Sequence, residues 1–172
     1  TIVIISAYFY PSANILAAFE RATKRQVSIR VYTNGYDTTD MNMVNMAAYQ
    51  AFHKWHSRLG PLFRIFEMAK PAAGKGSLHA KIFYRRGRVL GIGSANTDIR
   101  TVELDSNNMI FIPLQQGSNA SRMSHRFVDH FLAHLDWVEV TSAGVAARLL
   151  DWETSQPRMM KLLKCPLIIR QL

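Results

Sequence analysis

Cysteine is nearly absent: Cys165 stands alone among 172 residues. No internal disulfide can form, and a zinc site built on several cysteines is excluded. Acidic residues are scarce too, 12 against 21 Lys and Arg, which leaves a formal net charge of +9. A surface so biased attracts polyanions, whether nucleic acid or an anionic bilayer. No apolar run approaches the roughly 20 residues needed to span a bilayer, and the apolar start from Thr1 to Ile5 is too short for the core of a signal peptide. Nothing in the chain inserts by itself. Position 1 lacks methionine, and Thr1 opens a strand-like segment without a polar lead, so the chain is expected to be part of a longer protein. With 48% apolar and 19% charged residues, one globular domain with a sizeable core is predicted over 1–172, with a helical C-terminal tail from about residue 152.

The most informative stretch runs from His79 to Asn96, HAKIFYRRGRVLGIGSAN. Successive side chains of a strand alternate between faces, so His79 and Lys81 project from one side, about 7 Å apart. A phosphate group fits between them. Gly87 supplies the positive φ that a tight hairpin needs, and the run from Val89 to Ile92 returns. A two-residue turn at Arg86 and Gly87 predicts the pairs Arg85 with Arg88, Phe83 with Leu90, Lys81 with Ile92 and His79 with Ser94. Opposed residues share a face. That register gathers His79, Lys81, Ser94 and Asn96 around one point: a nucleophile or base, a fixed cation and two neutral hydrogen-bonding groups. Lys70, Lys75, Arg85, Arg86, Arg88 and Arg100 are expected to flank this site and give the basic charge a function.

Elsewhere the pattern alternates strand and helix. Thr1 to Tyr8 reads as a buried strand ended by Pro11, followed by a helix capped by Ser12 or Asn14 and a second strand through Val27, Ile29 and Val31. This β-α-β unit predicts parallel strands. A long helix starts at Thr39 or Asp40 and stops at Gly60-Pro61, and Leu62 to Met68 supplies a third strand. Lys70 to Ser77 is a loop leading to the site. Past the hairpin, Thr97 to Asp105 reads as irregular or one helical turn, and Asn108 to Leu114 as a strand. A turn over Gln115 to Asn119 leads to a helix from Ser121 to Leu135. A short strand from Trp137 to Val140 and a last helix from Ala143 close the unit. The predicted fold is α/β: a sandwich with a mixed β-sheet, helices on both faces, and the site at one end of the central strands.

The histidine, the lysine two later, and the Gly-Ser with Asn resemble the signature of the phospholipase D superfamily, His-x-Lys-x4-Asp-x6-Gly-Ser. The segments SAYFYPS, VSIRVYTNGYDTTD and GSANTDIRT resemble the C-terminal half of bacterial cardiolipin synthase and phosphatidylserine synthase relatives. The resemblance implies a phospholipase D-like fold and a two-step phosphodiester reaction. One imidazole attacks phosphorus to give a phosphohistidine, a second protonates the leaving alcohol, and water or another alcohol releases the product. His79 would carry one of these roles. Lys81 would hold the non-bridging oxygens, with Ser94 and Asn96 donating further hydrogen bonds. No cofactor or metal is implied. The implied partners are a phospholipid or other phosphodiester, an anionic membrane surface to which a bacterial protein is peripheral, and a second motif-bearing half. Only one His-x-Lys occurs in the chain, so that half comes from the same polypeptide or from a homodimer.

Two positions depart from the pattern. The family aspartate five residues beyond the lysine falls on Arg86, in the turn, which is a modest loss. The family glutamate that orients the imidazole, twenty-eight residues after the histidine, falls on Asn107. An amide oxygen can fix the tautomer but brings no charge to stabilise an imidazolium. Asp105 is the candidate substitute, given a shifted or bulged strand. The expected function is phosphatidyl transfer or phosphodiester cleavage at reduced activity. The alternatives are a homodimeric nuclease, favoured by the charge, and a binding module that keeps the pocket without turnover.

Other conspicuous residues take simpler readings. His53 and His56 fit a solvated helix face, and His125, His130 and His134 fit different sides of a surface helix. Gly91-Ile92-Gly93 fits close packing rather than a nucleotide loop. Met41, Met43 and Met46 fit core filling, Asp40 a helix cap or a place in the lining of the substrate cleft, the cap needing no further assumption, and Met159 to Leu163 a tail docked on its own domain.

Overall fold

The period-two stretches become strands and the longer amphipathic stretches become helices in a computed structural model, which describes residues 1–71 and 76–164. Lys75, Cys165 and the end of the tail lie outside the described residues. The first predicted strand is split. Strand β1 covers Ile2–Ile5 and β2 covers Phe9–Tyr10. Between them the Ser6 hydroxyl donates to the Tyr8 carbonyl at 2.7 Å, turning the chain out of the sheet.

Helix α1 spans Ala13–Lys24 behind the predicted cap, with Ser12 Oγ accepting from the Ile15 amide at 3.4 Å and Arg21 and Lys24 in the last turn. Strand β3 is Ile29–Asn34 and helix α2 is Asn42–Leu59. The expected Asp40 cap is not formed: α2 has no side-chain cap at its start, and Asp40 bonds elsewhere. Strand β4 is Phe63–Met68. The hairpin pairs β5, Ile82–Arg85, with β6, Val89–Gly93.

Its register corrects the prediction by one residue: Ile82 pairs with Ile92, Phe83 with Gly91, Tyr84 with Leu90 and Arg85 with Val89. The loop holds three residues, Arg86 to Arg88, closed by the Arg88 amide on the Arg85 carbonyl at 3.0 Å with Gly87 at φ 67°. A positive φ at the middle of three loop residues serves the turn as well as a two-residue loop would. The extra residue moves every later side chain to the other face.

Thr97 to Asp105, read as irregular or one helical turn, contains β7, Thr97–Asp98, and the short helix α3, Ile99–Glu103. Then follow β8, Met109–Pro113, α4, Asn119–Ala133, β9, Trp137–Glu139, α5, Ser142–Ser155, and α6, Pro157–Leu162. The main sheet has the order β8-β6-β5-β1-β3-β4-β9, and β2 pairs with β7 beside it. β1, β3 and β4 are parallel, as the β-α-β reading predicts, while β5, β6, β8 and β9 run antiparallel to their neighbours.

Alternation along the strands sends two sets of side chains to opposite faces. Ile4, Ile29, Val31, Phe63 and Ile65 pack with Phe19, Phe52, Trp55 and Trp152, so α1, α2 and α5 cover one face. Ile5, Tyr32, Ile82, Tyr84 and Leu90 pack with Val128 of α4 on the other. The tail docks on its own domain, with Met160 and Leu163 buried in the first core. Met46 is buried and Met41 and Met43 pack on that same core, which makes the methionines fillers. His130 and His134 are not on different sides of α4: their ring centres are 3.9 Å apart, one helical turn along a shared face.

Candidate active site

Topology brings the site together. Parallel β1 and β3 end side by side, Ile5 beside Tyr32, and antiparallel β5 begins beside the end of β1, with Ile82 opposite Ile5. His79 and Lys81, just ahead of β5, therefore lie where β1 and β3 finish. β6 ends there as well, with Ile92 opposite Ile82, delivering Ser94 and Asn96 to the same edge.

Asn34, the last residue of β3, is 1% exposed and clamps the approach to His79. Its Oδ1 accepts from the Leu78 amide at 2.7 Å while Nδ2 donates to the Leu78 carbonyl at 2.8 Å and to the Ala7 carbonyl at 3.0 Å. Asn45 of α2 donates in turn to the Asn34 carbonyl at 2.8 Å. A two-point grip on the backbone of Leu78 fixes the position of the residue after it, His79. Ser6 plays a parallel part: its hydroxyl accepts from the Thr97 amide at 2.8 Å and ties the Asn96 segment to the end of β1.

His79 is exposed and Lys81 is buried, 6% exposed. The Lys81 ammonium donates to the His79 carbonyl at 2.9 Å. Burial lowers the Lys81 pKa from the ordinary lysine value, and the charges of Asp40 and Asp98 oppose that fall. Asp40, expected as a helix cap, accepts from the Tyr8 hydroxyl at 2.5 Å. Burial first, then this bond and the two carboxylates push the Tyr8 phenol up to about 12, so it stays a donor. Asp98 is 3% exposed and accepts from the Thr101 amide at 2.6 Å. Its pKa is raised by burial and pulled back by that bond.

Ser94 is not opposite His79 as the two-residue turn required. Its hydroxyl accepts from the Asn108 amide at 3.0 Å, and its own amide donates to the Asn108 carbonyl at 2.8 Å. Asn96 presents a buried side-chain oxygen that has no donor among the described residues. Asn107 lines the same groove as Asn96. Asp105, the candidate substitute carboxylate, is exposed ahead of β8 and 3.2 Å from the Arg100 guanidinium.

The cationic flank also needs correction. Arg85 pairs with Ile2 at the start of β1, so Arg85, Arg86 and Arg88 lie at the end of the sheet opposite His79. Arg100 is engaged by Asp105. Lys70, beyond the end of β4, lines an open cleft with Asp40 and Ser77 at the site's own end. Asn34, Ser6, Tyr8 and Asp98 were not predicted as supports. Their signal was weak: small polar residues at the ends of two strands, meaningful only once the strands are aligned.

A mixed seven-stranded sheet between helices, with the exposed His79 and the buried Lys81 at one end of it, defines a phospholipase D-like α/β domain. Residues 1–134 match the family described as cardiolipin synthase, PLD-like domain, and the chain belongs to that family. No curated protein matches the chain by sequence. Among solved structures it is similar to phosphatidylserine synthase from Haemophilus influenzae Rd KW20, with a TM-score of 0.73, 12% identity, and coverage of 99% of this chain and 41% of that one. It thus spans about two fifths of that protein's length. It also resembles Nuc, a phospholipase D family member from Salmonella typhimurium, at TM-score 0.54 and 16% identity over 77% of this chain and 75% of that one. NucT from Helicobacter pylori aligns at TM-score 0.55 and 12% identity over 78% and 79% of the two chains. At such identities these likenesses establish the shared fold.

Proposed function

We propose that this domain supplies one of the two phosphate-handling motifs of a phospholipase D-type enzyme that cleaves phosphodiesters or transfers phosphatidyl groups. In this reading His79 either attacks phosphorus, displacing the alcohol to leave a phosphohistidine, or donates the proton that the departing alkoxide requires. Lys81 holds the non-bridging oxygens, and Ser94 and Asn96 complete the hydrogen-bonding around them. Asn107 stands where a carboxylate would stabilise the imidazolium, which predicts slow turnover. The second motif comes from another half of the polypeptide or a second copy, and the substrate class is a phospholipid at an anionic membrane surface.

The observation that carries the reading is the buried Lys81, whose ammonium donates to the main-chain carbonyl of the exposed His79. A cation held there without a direct carboxylate partner among the described residues is suited to receive an anion. The net charge of +9 favours a second reading, a homodimeric nuclease. Turnover of a phospholipid and of an oligonucleotide, measured on the full-length protein, separates the two. His79→Ala should cost at least about a hundredfold in kcat on the true substrate, and Asn107→Glu should raise it. Unchanged turnover in His79→Ala would refute the assignment, and a slower Asn107→Glu would refute the account of the missing charge.

A further inference from the structure

The loop of the β5-β6 hairpin and the turn before α4 meet at the end of the sheet opposite His79. The Leu114 amide donates to the Arg88 carbonyl at 2.8 Å, and a Cβ on Gly87 would lie 3.5 Å from Gln116 Cγ, so the two turns brace one another. Beside them opens a cavity of about 430 Å³, with Arg86, Gln116, Ser121, Arg122 and His125 in its lining. Its size falls within the range of small-molecule pockets. No carboxylate lines it. Ser121 and Arg122 belong to the first turn of α4, the helix end that carries a partial positive charge.

Among the described residues neither Arg86 nor Arg122 is in an ion pair, so the charge of both is open to a ligand. Arg122 is nonetheless held still, because its guanidinium donates to two neutral acceptors, the Gly117 carbonyl and the Asn119 side-chain oxygen. A cation fixed in advance loses little freedom on meeting an anion. His125 adds a third group. Its Nε2 lies 3.3 Å from the Asp129 carboxylate, whereas its Nδ1 is buried with no partner among the described residues. Tyr84, 3% exposed, stacks on that imidazole with ring centres 6.3 Å apart, and its hydroxyl too is buried and unpaired. Unpaired buried polar atoms are costly and call for an explanation, and a ligand in the cavity that His125 lines supplies one.

We propose that this cavity binds a phosphate monoester, without turnover, at a site separate from His79 and Lys81. A monoester offers three oxygens and about two negative charges to two guanidiniums and an imidazole, whereas each phosphate of a polynucleotide backbone offers two free oxygens and one charge. Arg86 stands where the phospholipase D signature has an aspartate, so the charge at this corner is reversed. An anion that a carboxylate would repel is attracted here. The site is independent of the reaction proposed at His79.

Inorganic phosphate then has two sites, and each is measured by calorimetry in a full-length protein that lacks the other. In Lys81→Ala, inorganic phosphate and methyl phosphate should still bind, and adding Arg86→Asp should weaken both at least about tenfold. Adding Arg122→Gln instead should weaken them similarly and serves if the first combination does not fold. Dimethyl phosphate, a diester with one charge, should bind at least about tenfold more weakly than methyl phosphate. Absence of phosphate binding in Lys81→Ala, or binding there that neither arginine variant alters, would overturn the proposal. So would dimethyl phosphate binding as tightly as the monoester. Displacement of phosphate by an oligonucleotide without terminal phosphates would overturn it as well, and would make this corner a nucleic-acid contact. Two further arms identify the source of the monoester. Cosedimentation with phosphatidylcholine vesicles that contain phosphatidic acid, lost in Arg86→Asp and not seen when phosphatidylglycerol replaces the phosphatidic acid, would make it a lipid head group. Binding of glycerol phosphate, lost in the same variant, with no such cosedimentation would make it a soluble ligand.

Discussion

In the proposed reaction Lys81 carries the charge that meets the phosphate, and its burial has a measurable consequence. Removing an ammonium from water favours the neutral amine, so its pKa falls below the ordinary lysine value, with Asp40 and Asp98 resisting. The charged form is needed to bind phosphate. Activity should therefore decline on the alkaline side at a lower pH than a free lysine would dictate. Asp98→Asn retains a side chain able to cap α3 but deletes one supporting charge, so it should move that decline to still lower pH. The pH profile of kcat/KM for the two proteins measures this, and a limb displaced to higher pH would contradict the assigned electrostatics. Asn34 acts on the same site through the backbone. Asn34→Ala would strand the Leu78 amide and carbonyl and leave the Ala7 carbonyl only its longer bond from the Thr33 hydroxyl. A loss of ~2–4 kcal/mol in denaturant unfolding is expected, since buried unpaired groups are costly. A loss below about 0.5 kcal/mol, the range of an ordinary surface change, would contradict the clamp.

Among elements, the hairpin teaches the most. Its existence and its strands were legible because period-two patterning and a glycine turn are local signals. Its register was not. Two-residue and three-residue loops both accommodate Arg86-Gly87-Arg88, and the choice is made by pairing with β1 and β8, which lie far off in sequence. Gly93 shows how tight that outer pairing is. A Cβ there would lie 2.1 Å from the Asn108 carbonyl oxygen and 2.7 Å from Met109 Cα. Backbone cannot swing aside, so Gly93→Ala should cost ~3 kcal/mol or more and expose the β8 amides to hydrogen exchange. Gly91→Ala meets the exposed ring of Phe111 instead, a side chain that can turn away, and should cost less. Equal losses in the two variants would refute this distinction. Helix ends were legible where a cap exists, as at Ser12. They were misread at Asp40, whose carboxylate is taken by Tyr8 from the other side of the site.

For the whole molecule, charge was legible in amount but not in placement. Net basicity is a sum over the chain, whereas the side of the sheet that receives Arg85, Arg86 and Arg88 depends on the antiparallel pairing of β5 with β1. Those arginines form a basic end remote from His79. The candidate site was read as a set of residue types along one hairpin, whereas the side chains that hold its backbone were not legible, because Ser6, Tyr8, Asn34 and Asp98 acquire meaning only where separate strands end together. The measurement that bears most directly on the central claim is phosphate binding at His79 and Lys81, followed by calorimetry in a double-mutant cycle on the full-length protein. His79→Ala and Lys81→Ala should each weaken inorganic phosphate at least about tenfold, with the double variant losing less than the product of the two, because both contact one ligand. Affinity unchanged in either single variant would contradict a shared phosphoryl site.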